Sequence, residues 1–216
     1  TADVPPVARQ AFAWLGEVVV RAAELAVDLE PEVLIVRGGS LAGAAIEPLA
    51  RLRVIARTGA GYDNLDVAAA TRLGIPIVFA PGVGSRPVAE GTLALMLAAV
   101  KRLGELGAVV RDGTWESRYE VPVLDLEGAC LGIIGYGSIG RHVGRLSQGL
   151  GMEVIAYDPG LDPFGEPGVE IVALEDLLER ADVITVHCEL TESTRGLVDR
   201  RLLARVKPGA VLVNAA

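Results

Sequence analysis

Between Leu131 and Leu150 an apolar run, a glycine-punctuated turn and an amphipathic stretch follow one another without a gap, and this order constrains the fold more than any other feature of the chain. Leu131-Gly132-Ile133-Ile134 reads as a strand covered on both faces, because its hydrophobic residues are continuous rather than alternating. Gly135-Tyr136-Gly137-Ser138-Ile139-Gly140 carries the G-x-G-x-x-G spacing. Val143, Leu146 and Leu150 then recur at helical intervals. Glu153 to Tyr157 reads as the next strand, with Asp158 at its end. Each part has a physical task. Gly135 permits a tight turn, Gly137 lets a diphosphate approach the backbone, and Gly140 lets the helix pack close to the strand. The helix start, with Ser138 and Ile139, offers unpaired N–H groups and a partial positive charge. Asp158 suits the hydroxyls of an adenosine ribose and repels a 2′-phosphate, so the pattern points to NAD rather than NADP.

The rest of the chain repeats the strand–helix rhythm. Helices are predicted from Pro5 to Leu15, Ala44 to Leu52, Asp66 to Leu73, Leu174 to Arg180 and Asp199 to Val206. Strands are predicted at Val18 to Val20, Val33 to Val36, Val54 to Ala56, Ile75 to Phe79, Val183 to Val186 and Ala210 to Asn214. Arg86 to Leu103 reads as one long helix, apolar nearly all round and therefore buried in a core or between two bodies. Asp112 to Gly128 is irregular and polar, and Asp158 to Gly168 is a Pro/Gly-rich loop. Such alternation implies an α/β protein with parallel sheets.

Composition narrows the classes of partner. The formal net charge is −8, which disfavours nucleic acid. No apolar run is long enough to span a bilayer, so no membrane partner is expected. Cys130 and Cys188, the two cysteines, sit beside Val/Ile-rich runs and read as core residues of a protein from a reducing, cytoplasmic compartment. No metal site is expected. The sequence opens Thr1-Ala2-Asp3, without an initiator Met or a leader pattern, and reads as a trimmed beginning.

Several ordered segments carry a family resemblance. Leu131 through Pro159 resembles the D-isomer-specific 2-hydroxyacid dehydrogenases. The Arg57-to-Asp66 segment, Arg-Thr-Gly-Ala-Gly-Tyr-Asp-Asn-Leu-Asp, is similar to a loop of the phosphoglycerate dehydrogenase branch. Val88-Ala89-Glu90, Asp112 to Trp115, Thr194 to Leu197 and Lys207 to Asn214 fit the same pattern. The resemblance implies two Rossmann-like βα domains with a cleft between them, and a chain truncated within the NAD-binding domain. Residues 1–84 would be the N-terminal part of the substrate domain and residues 85–216 the incomplete NAD-binding domain, through which homodimers form. The implied reaction is hydride transfer between C2 of a 2-hydroxy or 2-keto acid and the nicotinamide of NAD.

By position, the cofactor would meet Gly135, Gly137, Ser138, Ile139, Gly140, Asp158, His187, Cys188, Asn214, Ala215 and Ala216. Arg37 and the backbone of Gly59, Ala60 and Gly61 resemble the loops that hold the substrate carboxylate. The family's acid–base His, its Glu partner and the substrate-binding Arg fall beyond Ala216, so no catalytic residue is assigned. His142 and His187 are not recruited in their place. His187-Cys188-Glu189-Leu190 departs from the family's usual His-x-Pro-Leu, which frees the backbone there and adds a charge near the cofactor. Two other functions fit the same residues: a non-catalytic NAD-binding regulator or scaffold, and an NAD-dependent oxidase of a different substrate.

Overall fold

The computed structural model describes residues 6–19, 29–161 and 167–216. The chain forms two compact units, residues 1–84 and 85–216.

In the first unit a three-stranded parallel sheet has the order β1 (Val33–Val36), β2 (Val54–Arg57), β3 (Ile77–Val78). Before it, α1 (Pro6–Phe12) runs into a 3-10 turn at Ala13–Leu15. α2 (Gly43–Ile46) and α3 (Val67–Arg72) connect the strands. The core gathers Val36, Leu41, Ile46, Leu49, Leu52, Ile55, Leu65, Ala69, Ala70 and Ile75. Asp66 ties the two helices together. Its carboxylate accepts from Ala69 N at 2.9 Å, capping α3, and from Gly43 N at 3.1 Å at the start of α2.

The second unit holds a five-stranded parallel sheet of order β6-β5-β4-β7-β8. The strands are β4 (Cys130–Ile134), β5 (Glu153–Tyr157), β6 (Val169–Ile171), β7 (Val183–Val186) and β8 (Val211–Asn214). α4 (Ser85–Val100) and α6 (Ser138–Gln148) pack together on one face, and α7 (Leu174–Arg180) and α8 (Arg200–Leu203) lie on the other. β4 shows why the strands read as unbroken apolar runs. Leu131 and Ile133 enter the core under α4 and α6, while Cys130 and Ile134 enter the core under α7. The chain fills one side of β4 with β5 and β6, then crosses to place β7 and β8 on the other. The strand order reverses between β4 and β7, which opens a crevice at their carboxyl ends.

Several sequence expectations are corrected. Val18 and Val19 adopt no strand; both are exposed, and Val20 lies outside the described residues. The helix expected from Ala44 to Leu52 stops at Ile46, because Pro48 brings no N–H to continue it. The strand expected from Ile75 shrinks to Ile77–Val78, since Ile75 N is drawn back to Ala70 O. The long helix breaks at Arg102, which sits in the left-handed region at φ +51°, and α5 (Leu103–Arg111) starts after it as a separate helix. α4 is buried only along one side: Leu93, Met96 and Val100 are in the core, whereas Leu95 is 55% exposed. β6 was not expected at all. Pro5 lies outside the described residues.

Candidate cofactor site

The site is built at the carboxyl edge of the second unit's sheet. After Ile134 the chain turns at Gly135, with φ +90°, a conformation that glycine tolerates best. A methyl group there would come 2.5 Å from Cys188 N, so the backbone of β7's exit lies directly against the turn. A methyl group at Gly140 would come 2.4 Å from Gly135 O, which shows how closely α6 approaches the strand end. Tyr136 is 1% exposed and tucks its ring beneath α6, where a methyl at Gly144 would meet its hydroxyl at 3.1 Å.

Gly137 differs from its two partner glycines. It is the N-cap of α6, makes no side-chain cap, and has nothing within 4 Å of where a Cβ would stand. The first backbone bond of α6 runs from Arg141 N to Gly137 O at 3.0 Å. The N–H groups of Ser138, Ile139 and Gly140 are therefore presented at an uncapped helix start. The open space over Gly137 and the unpaired donors beside it fit a diphosphate.

Asp158 follows β5 and is aimed across this turn. Its Oδ2 accepts from Tyr136 N at 2.9 Å and its Oδ1 from Gly160 N at 2.9 Å. Each oxygen keeps a lone pair for a sugar hydroxyl.

His187 and Cys188 close the opposite side of the crevice. His187 N donates to Ile134 O at 2.7 Å. Burial lowers the imidazole pKa from its ordinary 6.5 to about 4, and among the described residues neither ring nitrogen has a partner. Burial also raises the Cys188 thiol above its usual range, and the nearby Asp158 carboxylate pushes the same way. Both Cys130 and Cys188 are free thiols. The segment after Cys188 is held without the family's proline. Thr194 Oγ1 donates to Glu189 O, and Thr191 N donates to Thr194 Oγ1 at 2.7 Å. This hydroxyl turn restrains the backbone that the missing proline was expected to free.

Asn214, Ala215 and Ala216 reach the same edge one strand further out, with Asn214 opposite Val186 and its Oδ1 accepting from Ala216 N at 3.1 Å. Arg37, Gly59, Ala60 and Gly61 are grouped at the carboxyl edge of the first unit's own sheet, after β1 and β2. His142 is half-buried within α6. Among the described residues no cluster of His, Cys, Asp or Glu could hold a metal ion, and no helix is long and apolar enough to cross a membrane. Sequence spacing missed Tyr136 as a buried support of the turn, and Arg57 and Asn64 as ties between the loops of the first unit.

Residues 93–216 match the NAD binding domain of the D-isomer specific 2-hydroxyacid dehydrogenases. D-3-phosphoglycerate dehydrogenase of Mycobacterium tuberculosis is 40% identical over 190 residues, 87% of this chain and 36% of that protein. Hydroxypyruvate reductase of Thermotoga maritima is 38% identical over 188 residues, 87% of this chain and 61% of that protein. The chain thus spans about a third of the first relative's length. The structure of D-lactate dehydrogenase from Aquifex aeolicus, complexed with NAD and lactic acid, superposes with a TM-score of 0.88 at 25% identity, covering 98% of this chain and 66% of that one. With a match across more than half of its length, the chain belongs to the D-isomer specific 2-hydroxyacid dehydrogenases through their NAD-binding domain.

Proposed function

We propose that the chain serves an NAD-dependent oxidoreductase acting on the CH–OH group of a D-2-hydroxy acid, with phosphoglycerate-like substrates favoured by the Arg57-to-Asp66 loop. The observation that carries this reading is the Gly137 turn, open to a diphosphate and facing a carboxylate already fixed by Tyr136 N.

In this reading the N–H groups of Ser138, Ile139 and Gly140 bind the diphosphate, with Gly135 and Gly137 letting it close on the backbone. Asp158 accepts from the ribose hydroxyls and excludes a 2′-phosphate. His187, Cys188 and Asn214 to Ala216 line the far side of the crevice. Bound NAD supplies the hydride acceptor or donor. Arg37 and the N–H groups of Gly59, Ala60 and Gly61 hold the substrate carboxylate. The half-buried His187, its pKa lowered to about 4, is a poor proton shuttle. The resemblance to the family, rather than any residue seen here, assigns the general base, its carboxylate partner and the substrate-binding arginine to positions other than those of residues 1–216.

We place residues 1–84 in the substrate domain and 85–216 in the NAD-binding domain. We also propose a homodimer. α5 buries no residue, and Leu103, Val110, Trp115, Tyr119 and Val123 are exposed in and after it, an apolar surface suited to a second copy. The free thiols support a cytoplasmic setting.

The test is turnover by the full-length protein across a panel of 2-keto acids with NADH and NADPH. Reduction of at least one with NADH, and little with NADPH, supports the reading. NADH binding without any turnover would favour a regulator.

A further inference from the structure

Two loops of the first unit, Arg37–Ser40 after β1 and Thr58–Asn64 after β2, are joined by two side chains that donate to backbone carbonyls. The Arg57 guanidinium reaches three of them. Nε donates to Gly61 O at 3.0 Å, and Nη1 donates to Val36 O at 3.2 Å and to Arg37 O. At the other end Asn64 Nδ2 donates to Gly39 O, while Asn64 O accepts from Leu41 N at 2.8 Å and from Ser40 Oγ at 3.4 Å. Arg57 and Asn64 are both half-buried.

The consequence lies with the donors. Carbonyls of both loops are turned towards Arg57 and Asn64. No hydrogen bond among the described residues uses the N–H groups of Gly59, Ala60 or Gly61. Unpaired amides on a restrained loop are available to bind an anion. Restraint matters because donors fixed beforehand bind an anion without first being ordered.

We propose that Arg57 and Asn64 are positioning residues that lock these two loops together and so preset the Gly59–Gly61 amides for the carboxylate of the substrate. The proposal rests on the functional reading above and deepens it. A planar guanidinium is needed at position 57, because a lysine ammonium cannot satisfy three carbonyls in that fixed fan. Asn64 Oδ1 is buried without a partner, so Asn64→Ala removes an unsatisfied acceptor together with the donor and is mild on stability.

The test uses the full-length protein with Arg57→Lys, Arg57→Gln and Asn64→Ala. Hydrogen exchange is read at the Leu41 and Thr58 amides, which flank the two loops and donate to Asn64 O and Val36 O. Protection there is expected to fall about tenfold in each variant, while amides of β4 and β5 are unchanged. KM for 2-keto acids is expected to rise about tenfold, with kcat and the KM for NADH nearly constant. The rise should be equal for substrates with and without a second anionic group. A rise confined to doubly anionic substrates, with unchanged exchange, would make Arg57 a direct ligand and overturn the proposal. Full recovery by Arg57→Lys would also overturn it, since charge alone would then suffice. If the parent protein reduces no 2-keto acid, the functional reading fails, and the exchange result still decides whether Arg57 and Asn64 hold the loops.

Discussion

The backbone N–H of Tyr136 donates to the Asp158 carboxylate across 2.9 Å, so the glycine turn and the acid at the next strand's end are one hydrogen-bonded object. The acid is held in place before any ligand arrives.

Replacing Asp158 with alanine removes that bond and the proposed ribose acceptor together. NADH affinity is expected to fall at least about tenfold, and the preference for NADH over NADPH to shrink by about ten- to hundredfold. Steady-state kinetics with both nucleotides check this. An unchanged nucleotide preference would remove Asp158 from the ribose.

Gly135 and Gly137, two of the fingerprint glycines, are expected to behave differently. Gly137→Val points into open space and leaves an extended N-cap conformation, so unfolding free energy should fall by no more than about 1 kcal/mol while NADH binding is lost. Gly135→Ala meets both a positive φ and Cys188 N, and should cost more than about 2 kcal/mol. Urea unfolding beside nucleotide titration separates the two effects. Equal destabilisation by both substitutions would contradict the geometry.

His187 makes stability depend on pH. Its folded pKa of about 4 lies below the ordinary 6.5, so the unfolded chain binds the proton first. The contribution is whole above pH 6.5 and is lost as pH falls towards 4. Allowing for partial exposure, it amounts to about 2 kcal/mol. Chemical unfolding between pH 4 and 7.5 should show this slope in the parent and a flatter one in His187→Asn. Parallel profiles would show that His187 is not the group responsible.

Leu103→Glu and Val110→Glu place charge on the exposed face of α5, where the two residues are 55% and 60% exposed. Light scattering is expected to report a dimer for the parent and a monomer for the double variant, with the fold of each unit intact. Persistence of the dimer would move the interface elsewhere.

The nucleotide-binding half was the more legible in the sequence because its cues are local. Continuous apolar runs mark strands buried on both faces, and the glycine spacing marks β4, the turn and α6. Elements without such cues escaped. Arg102 breaks the long helix with a left-handed residue that is not glycine. β6 is three residues long and carries Glu170 at its centre, so it shows no apolar run. Val18-Val19-Val20 has the composition of a strand, but its first two residues are exposed and pair with nothing among the described residues. The same division holds at the site. Gly135, Gly140 and Asp158 follow from spacing, whereas the Arg57 and Asn64 ties join loops more than twenty residues apart and depend on tertiary packing.

Titration calorimetry of NADH into the parent and into Gly137→Val goes straight to the claim that this turn grips the diphosphate. A single saturable site is expected in the parent, and no measurable heat in a variant whose circular dichroism is unaltered. Binding of equal strength in the two proteins, or none in the parent, would contradict that claim.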